Sequence, residues 1–161
     1  MKFRSLVAAV SVCLIASVGC ASTTSELLIG STTTDVLFQS VDKFDHNYQA
    51  FEPTPDDKNR VKDWPRNLHI DVYFGTWCHD SEREVPKLLK LASLSPRTNI
   101  NLVALDYNKQ EPKGRAEQQG VKYTPTIIVF LHNKEIGRIV ERPKASIAED
   151  IEAMLAKYTD R

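Results

Sequence analysis

The chain has 161 residues, and its 21 Lys and Arg exactly offset 21 Asp and Glu. With no basic tract besides, this balance argues against nucleic acid as a partner. Once a leader is set aside, about 140 residues remain, enough for one domain with its own hydrophobic core but not for two.

In chain order, Met1 to Gly19 reads as an export signal, with Lys2 and Arg4 at its start and the uncharged stretch Leu6 to Val18 behind them. That stretch of thirteen residues is too short to span a bilayer comfortably. The segment Ala16-Ser17-Val18-Gly19-Cys20 resembles the lipobox of bacterial lipoproteins, although Ser17 stands where that motif usually has Leu. The resemblance implies acylation of Cys20, with membrane attachment through the acyl chains; ordinary cleavage after Ala21 is the alternative. Ala21 is not the Asp that typically retains a lipoprotein in the inner membrane, so an exported, periplasm-facing protein of the outer membrane is expected. Either route leaves Cys78 as the sole thiol of the mature chain, since Cys13 departs with the signal and Cys20 is acylated or removed. One unpaired Cys in an oxidising envelope is either a reactive group or a small buried hydrophobe.

The Ser/Thr-rich stretch from 20 to 34 suits a tether. The domain is placed at 35–161, with a core at about 67–158. Leu37, Val41, Phe44, Tyr48 and Phe51 share one face of an amphipathic helix that begins near Thr34-Asp35 and ends at Phe51-Glu52-Pro53. A further helical turn over Asp56 to Trp64 uses Val61 and Trp64 as its apolar contacts. Strand His69 to Phe74, helix His79 to Leu94, strand Asn99 to Asp106 and helix Pro112 to Gln119 come next. Strands Thr126 to His132 and Glu135 to Val140 flank Asn133-Lys134 as a hairpin, and helix Ser146 to Tyr158 carries Ile147, Ile151, Met154 and Leu155. The order predicts an α/β fold: a mixed sheet with helices on both faces and an N-terminal helical extension.

This order resembles the thioredoxin superfamily when taken with Trp77-Cys78-His79-Asp80-Ser81 and Tyr123-Thr124-Pro125-Thr126. Pro86 lies eight residues after Cys78, where members of that family kink the active-site helix, and Thr124-Pro125 matches their cis-proline. Independently of the resemblance, Cys78 falls where a buried strand gives way to a helix, so unpaired backbone N–H groups and the helix dipole favour its thiolate. The resemblance implies that Trp77 covers one side of the sulfur and that Thr124 and Pro125 bind an extended substrate segment by β-augmentation.

Several departures from the family pattern set the expected chemistry. Ser81 replaces the second Cys of disulfide-reducing thioredoxins, so a mixed disulfide on Cys78 has no resolving thiol within the mature chain. Ser81 either donates a hydrogen bond to the thiolate or is a solvated, cap-like residue. Aligned strand on strand, Val72 replaces the family's buried Asp and Leu105 the companion Lys; Asp71, one residue away, points to the opposite face. His79 and Asp80 act on Cys78 with opposite signs, His79 being also a candidate acid or base. Arg142 takes the place of a Gly in the loop bordering the substrate groove, which favours acidic or smaller partners.

The leading reading is an envelope monothiol exchange protein, in which Cys78 forms mixed disulfides with protein or low-molecular-weight thiols such as glutathione and an external thiol resolves them. Oxidant sensing through a sulfenic acid belongs to the same class. The alternative is a non-catalytic binding module that uses the groove around Thr124-Pro125. No cofactor is required. Metal binding ranks last, since the convergent Cys, Met or His ligands of a soft-metal site are missing from the motif and His69 and His132 fall at distant strand ends.

Overall fold

The computed structural model describes residues 27–159, so the expected export signal, the lipobox-like segment and Cys20 lie outside the described residues. A five-stranded sheet forms the centre, in the order β1-β3-β2-β4-β5. Its middle strand, β2 (Leu68–Phe74), runs parallel to β3 (Asn99–Ala104) and antiparallel to β4 (Thr126–Leu131). Parallel neighbours need a long crossover. Helix α4 (His79–Ser93) supplies it and thereby begins at the C-terminal end of the central strand.

The outer strands show two differences from the sequence expectation. Gly30–Thr32, assigned to the tether, forms β1 and pairs antiparallel with β3, Gly30 opposite Ala104 and Thr32 opposite Leu102. Three residues suffice to cover the otherwise open edge of β3, and so short a strand leaves no periodicity to read. At the other edge, β5 (Lys134–Val140) pairs with β4 through a turn at His132-Asn133, one residue earlier than expected. Both turn residues have positive φ, 52° and 62°. Two-residue hairpin turns demand that conformation, and His and Asn accept it more readily than Lys.

The expected single helix up to Phe51 is two helices, α1 (Thr34–Ser40) and α2 (Asp42–Ala50), broken at Val41 with φ −142° and ψ 94°. Thr33 caps the first, its hydroxyl accepting from the Val36 N–H at 3.3 Å. The break falls where a β-branched residue precedes Asp42 and Asp45, whose charges suit a new helix N-terminus. Leu37 and Phe44 are both fully buried across it. Helix α3 (Pro55–Lys62) starts with Pro in its first turn behind a Thr54 cap, and Val61 and Trp64 are buried as the sequence reading expects. Helix α5 is only Arg115–Gln118, because Gly114 at φ 64° halts it short of Pro112, and α6 (Ile147–Thr159) closes the fold.

The helices divide unevenly between the faces. Helices α1, α2, α3, α4 and α6 contribute to one large apolar cluster with Ile70, Val72, Phe74, Leu102, Ile127 and Val129 of the sheet. The opposite face holds a small cluster of Tyr73, Val103, Leu105 and Ile128, in which the one helical contributor is Ala116 of α5. None of the described helices is long and apolar enough to cross a membrane.

Candidate active site at the start of helix α4

Strand β2 ends at Phe74, and the chain turns through Gly75-Thr76-Trp77 so that Cys78 becomes the N-cap of α4 in an extended conformation. The Cys78 N–H donates to the Gly75 carbonyl at 3.1 Å, and its own carbonyl accepts the first helical bond from Glu82 at 2.9 Å. Its thiol is free and partly exposed. Opposite Cys78 the Thr124-Pro125 peptide is cis, as the resemblance implies, and the Cys78 S–H donates to the Thr124 carbonyl at 3.1 Å. Residues 46 positions apart in sequence thus meet at one sulfur.

Trp77 is held at three points. Its Nε1–H donates to the Leu105 carbonyl at 3.1 Å, its ring lies 5.1 Å from that of Tyr107, and its edge rests on Gly75. A Cβ at Gly75 would lie 2.6 Å from Trp77 Cε2, so only Gly lets the strand pass beneath the indole. Gly75 escapes a motif that begins at the Trp-Cys pair; the backbone approach that requires it is a tertiary fact.

Ser81 takes neither of its expected roles. It is completely buried, and its hydroxyl accepts from the Gly75 N–H at 3.3 Å rather than bonding Cys78. The side chain therefore pins the strand-to-helix turn beneath the thiol and satisfies a buried backbone donor. Val72, also completely buried, leaves the sheet beneath Cys78 without a carboxylate. Its register partner is Leu102, and the two share the large cluster, whereas Leu105 belongs to the opposite face. The companion position is thus Leu102, not Leu105, a correction that follows from the side-to-side alternation along β3. Asp71 points away from the site, accepting from Asn101 at 3.0 Å and lying 2.8 Å from His69 Nε2.

The two residues between Cys78 and Ser81 have partners that sequence reasoning left open. His79 is 89% exposed, with Nδ1 3.2 Å from Glu82, which also binds Lys43 of α2 at 3.3 Å. Asp80 Oδ1 is shared by Arg83 at 2.7 Å and Arg142 at 3.2 Å. Burial works against its ionisation, but hydrogen bonds and charge from Arg83 and then Arg142 prevail and hold the carboxyl below the usual carboxylate range. Asp80 and Arg83 are one helical turn apart, a spacing visible in the sequence. The Arg142 contact spans 62 positions and is not.

One further support concerns Pro86, which sits inside α4 and has no N–H for the carbonyl of Glu82 one turn earlier. Asn47 of α2 donates its side-chain N–H to that carbonyl at 2.8 Å. The N-terminal extension thus supplies the donor that Pro86 withholds within the helix that carries Cys78. Among the described residues, no three His, Cys, Asp or Glu side chains are grouped as metal ligands, and His69 and His132 border a cleft with Arg66 and Asn99 at the other end of the sheet.

Comparison with known proteins agrees with this geometry. A thioredoxin from Echinococcus granulosus is 33% identical over 86 residues, 53% of this chain and 77% of that protein. Among solved structures, an HIV epitope-scaffold superposes over 80% of this chain and 94% of its own, with a TM-score of 0.63 at 17% identity. A Pseudomonas aeruginosa protein of unknown function superposes over 80% of this chain and 76% of its own, with a TM-score of 0.51 at 20% identity. At those identities the two structures speak for the fold alone. The family model described as thioredoxin matches residues 33–155, from the cap of α1 through most of α6 and across the Cys78 and Pro125 loops, so the chain belongs to the thioredoxin family.

Proposed function

We propose that this protein is a monothiol thiol-disulfide exchange protein of the bacterial envelope, anchored through an acylated Cys20 and facing the periplasm. The observation that carries the reading is the sulfur of Cys78 at a helix N-terminus, partly exposed and 3.1 Å from the Thr124 carbonyl, with a buried serine three residues on. In the first step the Cys78 thiolate attacks one sulfur of a disulfide R–S–S–R. A Cys78–S–S–R bond forms as the sulfur–sulfur bond of the substrate breaks, the other half leaves as RS⁻ and takes a proton from water, and one disulfide replaces another without net oxidation. In the second step an external thiolate attacks the R sulfur and returns Cys78 as thiolate. Ser81 cannot perform that step, because an alcohol does not displace a thiolate from a disulfide under these conditions. The partner is a protein or a low-molecular-weight thiol or disulfide, held along Trp77 and the Thr124-Pro125 backbone, with His79 available for proton transfer at the rim.

The test is to treat the full-length chain with oxidised glutathione and read the adduct on the peptide that bears Cys78. A mixed disulfide that persists until free thiol is added, and that is absent in Cys78→Ser, is the expected result. Failure of native Cys78 to react while the unfolded chain reacts overturns the exchange reading and leaves a binding module. In bacterial cells expressing the full-length chain, labelled palmitate is incorporated by the wild type and lost in Cys20→Ser; equal labelling of both, or of neither, removes the anchor.

A further inference from the structure

We infer that Arg142 selects the disulfides on which Cys78 acts, favouring those whose sulfurs are flanked by carboxylates. This rests on the exchange reading above and names the substrate class for it.

The loop after β5 is fastened to the cis-proline loop. Glu141 adopts a left-handed conformation, φ 60°, rare for a residue with a side chain, and its N–H donates to the Pro125 carbonyl at 2.8 Å. The Arg142 N–H then donates to the Val140 carbonyl at 2.7 Å. Backbone so constrained next to a reactive group marks a place where the position of a side chain matters. The guanidinium placed there reaches Asp80 of α4, two residues beyond Cys78, at 3.2 Å and so links the loop after β5 to the start of that helix.

The bridge is an uneven bargain. Arg83 holds the same Asp80 oxygen at the shorter distance, 2.7 against 3.2 Å, and has Glu84 as a second partner at 2.5 Å. Asp80 is the sole ion-pair partner of Arg142 among the described residues, and the Arg142 side chain is 69% exposed. An incoming carboxylate therefore takes Arg142 away from Asp80 and leaves that acid still paired. Guanidinium and carboxylate match in a two-point geometry, which fixes the substrate as well as attracting it. Beyond Trp77 the charge has the same sign: Lys109 Nζ lies 5.7 Å above the indole ring, without an ion pair among the described residues. Acids near the thiol are largely committed, Asp80 to two arginines and Glu82 to His79 and Lys43. Glu141 is the acid of this loop that has no ion pair among the described residues, and it opposes the selection.

The experiment compares adduct formation on the Cys78 peptide of the full-length chain with two disulfides, oxidised glutathione, which carries carboxylates, and cystamine, which carries only ammonium groups. The quantity read is the ratio of the two rates, which cancels changes in the thiol itself. Arg142→Gln lowers the glutathione-to-cystamine ratio by about three- to tenfold, and Asp80→Asn raises it by a similar factor, both effects shrinking in high salt. Arg142→Lys recovers only part of the loss, because an ammonium cannot make the two-point contact. A ratio unmoved by Arg142→Gln overturns the inference. So does a shift in the same direction for Arg142→Gln and Asp80→Asn, which is what a merely structural bridge would give. If neither disulfide modifies wild-type Cys78, the exchange reading itself falls, and the selection falls with it.

Discussion

At position 81 a hydroxyl occupies the place of a second thiol, and its burial against the Gly75 N–H shows that the oxygen is used structurally. Sulfur there changes the outcome of the chemistry rather than its beginning. In Ser81→Cys the new thiol stands one helical turn from Cys78, close enough for the pair to close on itself. The expected product of oxidised glutathione with that variant is an internal disulfide, two hydrogens lighter, in place of an accumulating glutathione adduct. Peptide mass spectrometry distinguishes the two, and an adduct that accumulates as in the wild type contradicts the role assigned to position 81. Closure in the variant has no acid at the sheet positions Val72 and Leu102 to assist it, both being apolar. The position of Cys78 at a helix start was legible from the strand before it and the helix after it; the bond accepted by Ser81 was not, because it depends on how tightly the turn of Gly75 folds back over the helix.

At the scale of elements, the N-terminal extension is part of the domain. Phe44 is fully buried, its ring 5.7 Å from that of Phe74, and α2 lies along α4. Asn47 makes the junction specific, since its N–H serves the carbonyl that Pro86 orphans. Removing a partner from a partly buried polar group costs about 1–3 kcal/mol, and the partial exposure here places Asn47→Ala near the lower end. Urea denaturation of the variant is expected to show that loss. In a Pro86→Ala background residue 86 regains an N–H for the same carbonyl, and the cost of removing Asn47 shrinks; an undiminished cost refutes the pairing. The apolar face of this extension was readable from its period, whereas the break at Val41 was not, because a face of steps three and four is continuous across it.

For the molecule as a whole, acid stability follows from carboxylates held in their charged form. Glu111 accepts the N–H groups of Lys113, at 2.9 Å, and of Arg115, and pairs with the Arg115 guanidinium. Arg115 in turn donates to Ser31 of β1 at 2.9 Å, tying the edge strand to the loop beside Trp77. Burial opposes the charge on Glu111, but these hydrogen bonds outweigh it and lower its affinity for protons, as the arginines do for Asp80. A carboxylate that binds protons less tightly when folded contributes stability above its unfolded range and loses it as pH falls through the folded one. Glu111→Gln is therefore less stable than the wild type at neutral pH and loses less on acidification. The fall in urea midpoint between neutral pH and about pH 3 measures it, and an equal fall in both chains excludes Glu111 as a contributor. The amino-acid sequence by itself determined the strands and helices from β2 to α6, the thiol at a helix start and the serine three residues on, because each is carried by local periodicity or by neighbours in the chain; that Thr124-Pro125 faces the thiol was implied by the resemblance to thioredoxins. Only the tertiary structure decided that most helices gather on one face, that Gly30–Thr32 closes the sheet edge, that Asn47 donates to the Glu82 carbonyl, that Leu102 neighbours Val72 and that Arg142 reaches Asp80. Those assignments rest on contacts between residues dozens of positions apart, for which no local pattern exists to be read.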